Sequence, residues 1–102
     1  MQPQQIKTRG VITGIPLPTL MQELQRDRQW TIHGFTEDQD KQVGKVSNDQ
    51  LQINRPVNLT SWLNRPNKIH IQGRFVTEFL TETEGIRSQL LANTPEAGTT
   101  FT

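Results

Sequence analysis

The stretch that most constrains the fold runs from Lys68 to Phe79. Here Ile69, Ile71, Gly73, Phe75, Thr77 and Phe79 alternate with Lys68, His70, Gln72, Arg74, Val76 and Glu78. Successive side chains of a strand point to opposite faces, so a two-residue period predicts a long strand with one face in a core. The other face is polar and mostly basic. A chain of 102 residues holds one domain, so this strand must find its partners within the same small sheet.

The rest of the chain supplies them. Ile6 to Ile15 is rich in β-formers, with Gly10 and Gly14 marking bends. Pro16 and Pro18 follow, and Leu17, Leu20, Met21 and Leu24 then fall on one face of a short helix, with Thr19 and Gln22 as a candidate capping box; an extended loop is the equal alternative. Gln29 to Thr36 predicts a second strand with Trp30, Ile32 and Gly34 on one face and Thr31, His33 and Phe35 on the other. A polar loop, Glu37 to Gln42, leads to a return strand beginning at Val43–Val46, and Ser47-Asn48-Asp49 marks a turn. Leu51, Ile53 and Val57 continue the β pattern. Asn58 to Leu63 predicts a short helix with Asn58 as N-cap and Leu59, Trp62 and Leu63 buried at i, i+3 and i+4. After the long strand, Thr81 to Gly85 reads as a turn and Ile86 to Ala92 as a partner strand, with a helical reading of Gln89–Leu91 open.

Five short strands with one helix between the third and fourth predict an all-β, β-rich protein: a five-stranded Greek-key OB-fold barrel. An SH3-like barrel and a simple α+β sheet are the competitors. Residues 6–92 form the single domain, with a loose N-terminus at 1–5 and a disordered tail at 93–102.

Composition narrows the function. The chain has no cysteine, which excludes a disulfide scaffold, an iron–sulfur cluster, a thiol nucleophile and a cysteine zinc site. No apolar run approaches the ~20 residues of a membrane span, and the first ten residues hold no signal-peptide core. The expectation is a cytoplasmic protein that uses neither membrane nor metal. His33 and His70 are the only histidines, and no serine sits in a nucleophile elbow, so no enzyme, cofactor or metal is expected. Eleven basic residues against ten acidic ones leave a net charge of +1, so the arrangement of charge matters more than its sum.

Trp62-Leu63-Asn64-Arg65-Pro66-Asn67-Lys68-Ile69-His70-Ile71-Gln72-Gly73-Arg74-Phe75 resembles a stretch of the bacterial single-stranded DNA-binding protein and primosomal replication protein N family. In that family an aromatic-Leu helix end is followed by a basic turn, then by a strand ending in Gly-Arg. Gln50 to Leu63 is similar to the family's third strand and helix, and Thr77 to Ala92 to its last hairpin, so the resemblance covers about half the chain. It implies an OB-fold that binds single-stranded nucleic acid without chemistry, and a homo-oligomer, dimer or tetramer. The chain departs from the family at Pro16-Leu17-Pro18, at Glu78 where basic residues are usual, and at an end that lacks an acidic Pro-Phe tip.

A single-strand binder needs cations that track phosphates and flat side chains that stack on bases. The expected phosphate contacts are Arg55, Arg65, Lys68, Arg74 and Arg87, the last on the strand opposing Lys68–Phe79. The expected stacking side chains are Phe35, Phe79 and Trp30, while Trp62 and Phe75 are assigned to the core. The rival reading is a protein-interaction module or assembly subunit on the same β fold. An RNA-binding barrel is the third, because the same groove chemistry serves both nucleic acids.

Overall fold

The computed structural model describes residues 7–27 and 29–93. Its order is β1 (Arg9–Thr13), α1 (Leu17–Arg26), β2 (Thr31–Glu37), β3 (Lys41–Asn48), a 3-10 turn (Asp49–Leu51), β4 (Ile53–Trp62), β5 (Lys68–Gln72), α2 (Val76–Glu82) and α3 (Glu84–Asn93). The expectation of a β-rich protein with a five-stranded sheet is met. All pairings are antiparallel and the order is β1-β5-β4-β3-β2. Consecutive strands β2 to β5 form a meander, β1 joins it beside β5, and the sheet is open, with β1 and β2 as its edges. Helix α1 links these two edges. The loose segment 1–5 and the tail expected at 93–102 lie outside the described residues, apart from Asn93 at the end of α3.

Helices α1 and α2 cover one face of the sheet, and α3 packs beside α2 against the same core through Ile86 and Leu90. Ile12, Val57, Leu59, Ile69 and Ile71 point to that face and are buried. Against them pack Leu17, Leu20, Met21 and Leu24 of α1, Val76 and Phe79 of α2, and Trp30 from the turn before β2. Leu17, Leu20 and Leu24 are fully buried, which at about 1.5–3 kcal/mol each makes this stripe the main reason the helix holds. The helix begins at Leu17 with Pro16 as N-cap and no side-chain cap bond. Thr19 therefore lies inside its first turn, so the capping box predicted there is not its start. Among the described residues no helix is long and apolar enough to cross a membrane.

Several elements differ from expectation. There is no helix over Asn58–Leu63: the segment completes a ten-residue strand, β4, whose Val57 to Trp62 pair with Val46 to Lys41 of β3. Leu59 and Ser61 face the core, and Trp62 turns outward. The long strand expected to reach Phe79 stops at Gln72. Gly73 follows with φ +146°, a conformation that L side chains rarely adopt, and its N–H donates to the Thr8 carbonyl at 3.1 Å. The chain then leaves the sheet. Val76, Phe79 and Leu80 follow helical spacing and pack inward as α2. The expected last hairpin is instead α3, separated from α2 by Thr83, whose buried hydroxyl donates to the Phe79 carbonyl at 2.7 Å. In β2 a bulge between Ile32 and Gly34 shifts the register, so Phe35 pairs with Gly44 and shares the core-side face with Ile32.

Candidate functional site

With all three helices on one side, the other face of the sheet is left bare among the described residues. The register identifies its side chains. Arg9, Val11 and Thr13 of β1 stand opposite Gln72, His70 and Lys68 of β5. Asn58 and Thr60 of β4 pair with Gln72 and His70. Lys45, Val43 and Lys41 of β3 pair with Asn58, Thr60 and Trp62, and Gly34 and Thr36 of β2 complete the row. The alternation is the ordinary consequence of the pleat: each residue buried under the helices brings its neighbour out on this side.

The charge on this face is one-sided. Arg9, Lys41, Lys45 and Lys68 are joined by His70, and no strand position on this face carries a carboxylate. Among the described residues none of these four cations is in an ion pair; Arg26, on α1 behind the sheet, pairs with Glu23 at 3.1 Å. The acids of this region, Glu37, Asp38 and Asp40, gather at the β2–β3 turn. That turn is tied to the end of β4 by the Leu63 N–H, which donates to the Asp40 carbonyl at 2.9 Å. They form a border at one end of the face.

Apolar surface lies among these cations. Val11 is 47% exposed and Trp62 38% exposed. The Lys41 ammonium sits over the Trp62 ring, 5.4 Å from its centroid. Around that ring Lys41, Thr60, Trp62, His70 and Gln72 line a shallow cleft of about 290 Å³ crossing three strands. At the edge next to β2, His33 reaches from the bulge to the Ser47 hydroxyl, Nε2 to Oγ 2.7 Å.

The structure brings some of the expected site residues to this face and sends others elsewhere. Lys68 is on it, with His70 and Gln72. Arg65 is exposed in the β4–β5 turn, its N–H donating to the Trp62 carbonyl at 2.8 Å. Arg55 is exposed on β4, where the β3–β4 register is irregular between Val46 and Asn48. Arg74 is exposed in the turn after β5. Arg87 is on α3 and not on a strand. Its guanidinium donates to the Leu80 carbonyl at 2.6 Å and to the Thr83 hydroxyl at 3.2 Å, so it braces the α2–α3 junction.

The expected stacking residues need larger correction. Trp30 and Phe79 are buried together in the core, edge to face with centroids 5.5 Å apart, and offer no ring face to a ligand. Phe35 is 42% exposed, but on the helix side, where it borders a groove with Pro18, Met21 and Ile32. The residues missed by sequence reasoning are Arg9, Lys41, Lys45 and Trp62. For Lys41 and Lys45 the signal was the alternation Lys41-Val43-Lys45. It becomes a face only once Asn58–Trp62 is known to be a strand.

Comparison with family models, with curated proteins and with solved structures found no match to this chain.

Proposed function

We propose that the protein binds single-stranded nucleic acid on the bare face of its sheet, without catalysing a reaction. The observation that carries this reading is a patch of four cations on an open, carboxylate-free sheet face: Arg9 level with Lys45, and Lys68 and Lys41 four residues further along β5 and β3. A polyanion running obliquely over the patch meets cations on β1, β5 and β3. With strands about 4.8 Å apart and about 3.3 Å per residue along each strand, the two levels lie roughly 13 Å apart, and the patch can be spanned by a short run of phosphates. A single strand follows a curved, twisted sheet more readily than a stiff duplex does.

The reading keeps Lys68 from the expected phosphate contacts, with Arg65 at the margin. It adds Arg9, Lys41 and Lys45, and leaves Arg55 and Arg74 as peripheral cations. It requires an exposed basic sheet face rather than closure into a Greek-key OB-fold barrel. The single-strand-binding function suggested by the resemblance over residues 50–92 belongs to this proposal, and the OB-fold barrel suggested by the same resemblance is not needed for it.

The test is titration of a fluorescently labelled single-stranded oligonucleotide at low salt, followed by anisotropy. Binding by the native protein and its loss in the double variant Lys45→Glu, Lys68→Glu are expected. No binding by the native chain, or unchanged affinity in the variant, would overturn the reading and favour the protein-interaction module.

A further inference from the structure

We infer that the cleft around Trp62 is a subsite for one unstacked nucleobase, so that the protein selects strands whose bases are free. This rests on the single-strand-binding reading above and goes beyond it: phosphate tracking alone does not distinguish a base-bearing strand from any other flexible polyanion.

Trp62 is the one aromatic residue among the described strands that the register places on the basic face. It ends β4, beyond the β4–β5 pairing, which covers Asn58 to Thr60. The ring therefore has room beside it, and the cleft of about 290 Å³ marks that room. Its floor and rim are Thr60, His70 and Gln72. A hydroxyl, an imidazole and a primary amide supply hydrogen-bond donors and acceptors around an apolar platform.

A planar base with polar edges is the ligand this combination suits. Aromatic stacking takes the ring, and the rim takes the edge without demanding one base. Lys41 connects the subsite to the phosphate row. In the free protein its ammonium lies over the indole at 5.4 Å. A base stacking on that ring displaces the ammonium, which remains within reach of the same nucleotide's phosphate. A base inside a duplex is already stacked and paired on both sides, so it cannot enter without the cost of being unstacked.

The experiment compares four ligands with the full chain at one salt concentration: a single-stranded 12-mer, an abasic strand with the same number of phosphates, the corresponding duplex, and a free mononucleotide. Trp30 is buried, so Trp62 is the solvent-facing emitter. The base-bearing strand is expected to quench tryptophan emission and to bind more tightly than the abasic strand and the duplex, by about five-fold or more per stacked base. Trp62→Ala should abolish that preference while leaving the salt dependence unchanged, and Trp62→Phe should retain part of it. Far-UV circular dichroism checks that both variants stay folded.

Equal affinity for base-bearing and abasic strands, or a preference that survives Trp62→Ala, would overturn the subsite while leaving phosphate tracking in place. A mononucleotide that binds as tightly as the strand would assign the cleft to free nucleotides and overturn the strand-selecting role. Absence of binding to any strand at low salt would overturn both readings.

Discussion

If Arg9, Lys41, Lys45 and Lys68 are the phosphate contacts, the salt dependence of binding has a definite size. Each phosphate neutralised on a single strand lowers the logarithm of the binding constant by roughly 0.7 per logarithmic unit of salt. Four contacts give a slope of roughly −2.8, so raising salt from about 50 to about 200 mM weakens binding about 50-fold. Replacing Lys45 and Lys68 together by glutamine removes two contacts without introducing repulsion. The slope should fall to roughly −1.4 and the loss over the same range to about 7-fold. Both side chains project from the bare face, on β3 and β5, so the fold should tolerate the change. Arg26→Gln is the control: it removes one positive charge, half of what the double variant loses, from α1 on the opposite side of the sheet, where the side chain pairs with Glu23. Anisotropy titrations at five or so salt concentrations measure all three slopes. An unchanged slope in the double variant, or a reduction in Arg26→Gln as large per charge removed, would refute the assignment of these residues, because the reasoning depends on position and not on net charge.

Two further predictions concern residues that the sequence pattern placed differently. Phe79→Ala should destabilise the protein by about 3–5 kcal/mol, since the ring is fully buried against Trp30. A urea transition checks this, and a shift below about 1 kcal/mol, or weakened binding at unchanged stability, would return Phe79 to the surface. Gly73→Ala should cost about 1–3 kcal/mol through backbone strain at φ +146°. The nearest atom a new Cβ would meet is the Val57 Cα at 3.5 Å, an ordinary contact, so an unshifted urea midpoint would refute the strain argument.

Much of the scaffold is legible in the sequence because one period dominates each segment. Leu17, Leu20, Met21 and Leu24 fit a helix and fit no strand, and they form the buried stripe of α1. Ile69 and Ile71 alternate with Lys68, His70 and Gln72 and take the two faces predicted for them. The errors fall where two periods coexist. In Val57 to Leu63, Val57, Leu59 and Ser61 satisfy a strand while Leu59, Trp62 and Leu63 satisfy a helix. In Phe75 to Leu80, Phe75, Thr77 and Phe79 satisfy a strand while Val76, Phe79 and Leu80 satisfy a helix. Local propensity differences are too small to decide such cases, and tertiary pairing overrides them.

The candidate site shows the same division. Lys68 could be read as exposed and basic from its own neighbours. Trp62 could not: its assignment to the core followed from a helix that is a strand, and one change of period turns the side chain from the core to the solvent face. Likewise the bulge between Ile32 and Gly34 moves Phe35 to the helix side, and nothing local announces where a bulge falls.

By itself, the sequence determined the β-rich class, the helical spacing of Leu17, Leu20, Met21 and Leu24, the alternation on β5, and the absence of cysteine chemistry. These depend on residue types and short periods, which are local properties. Only the tertiary structure decided that β3 pairs with β4 along Asn58–Trp62, that Gly73 releases the chain into α2, and that all three helices lie on one side. The gathering of Arg9, Lys41, Lys45, Lys68 and Trp62 on one bare face follows from those decisions. Which side chains share a sheet face depends on which strands pair and in what register, and that is settled by burial of the whole apolar surface at once.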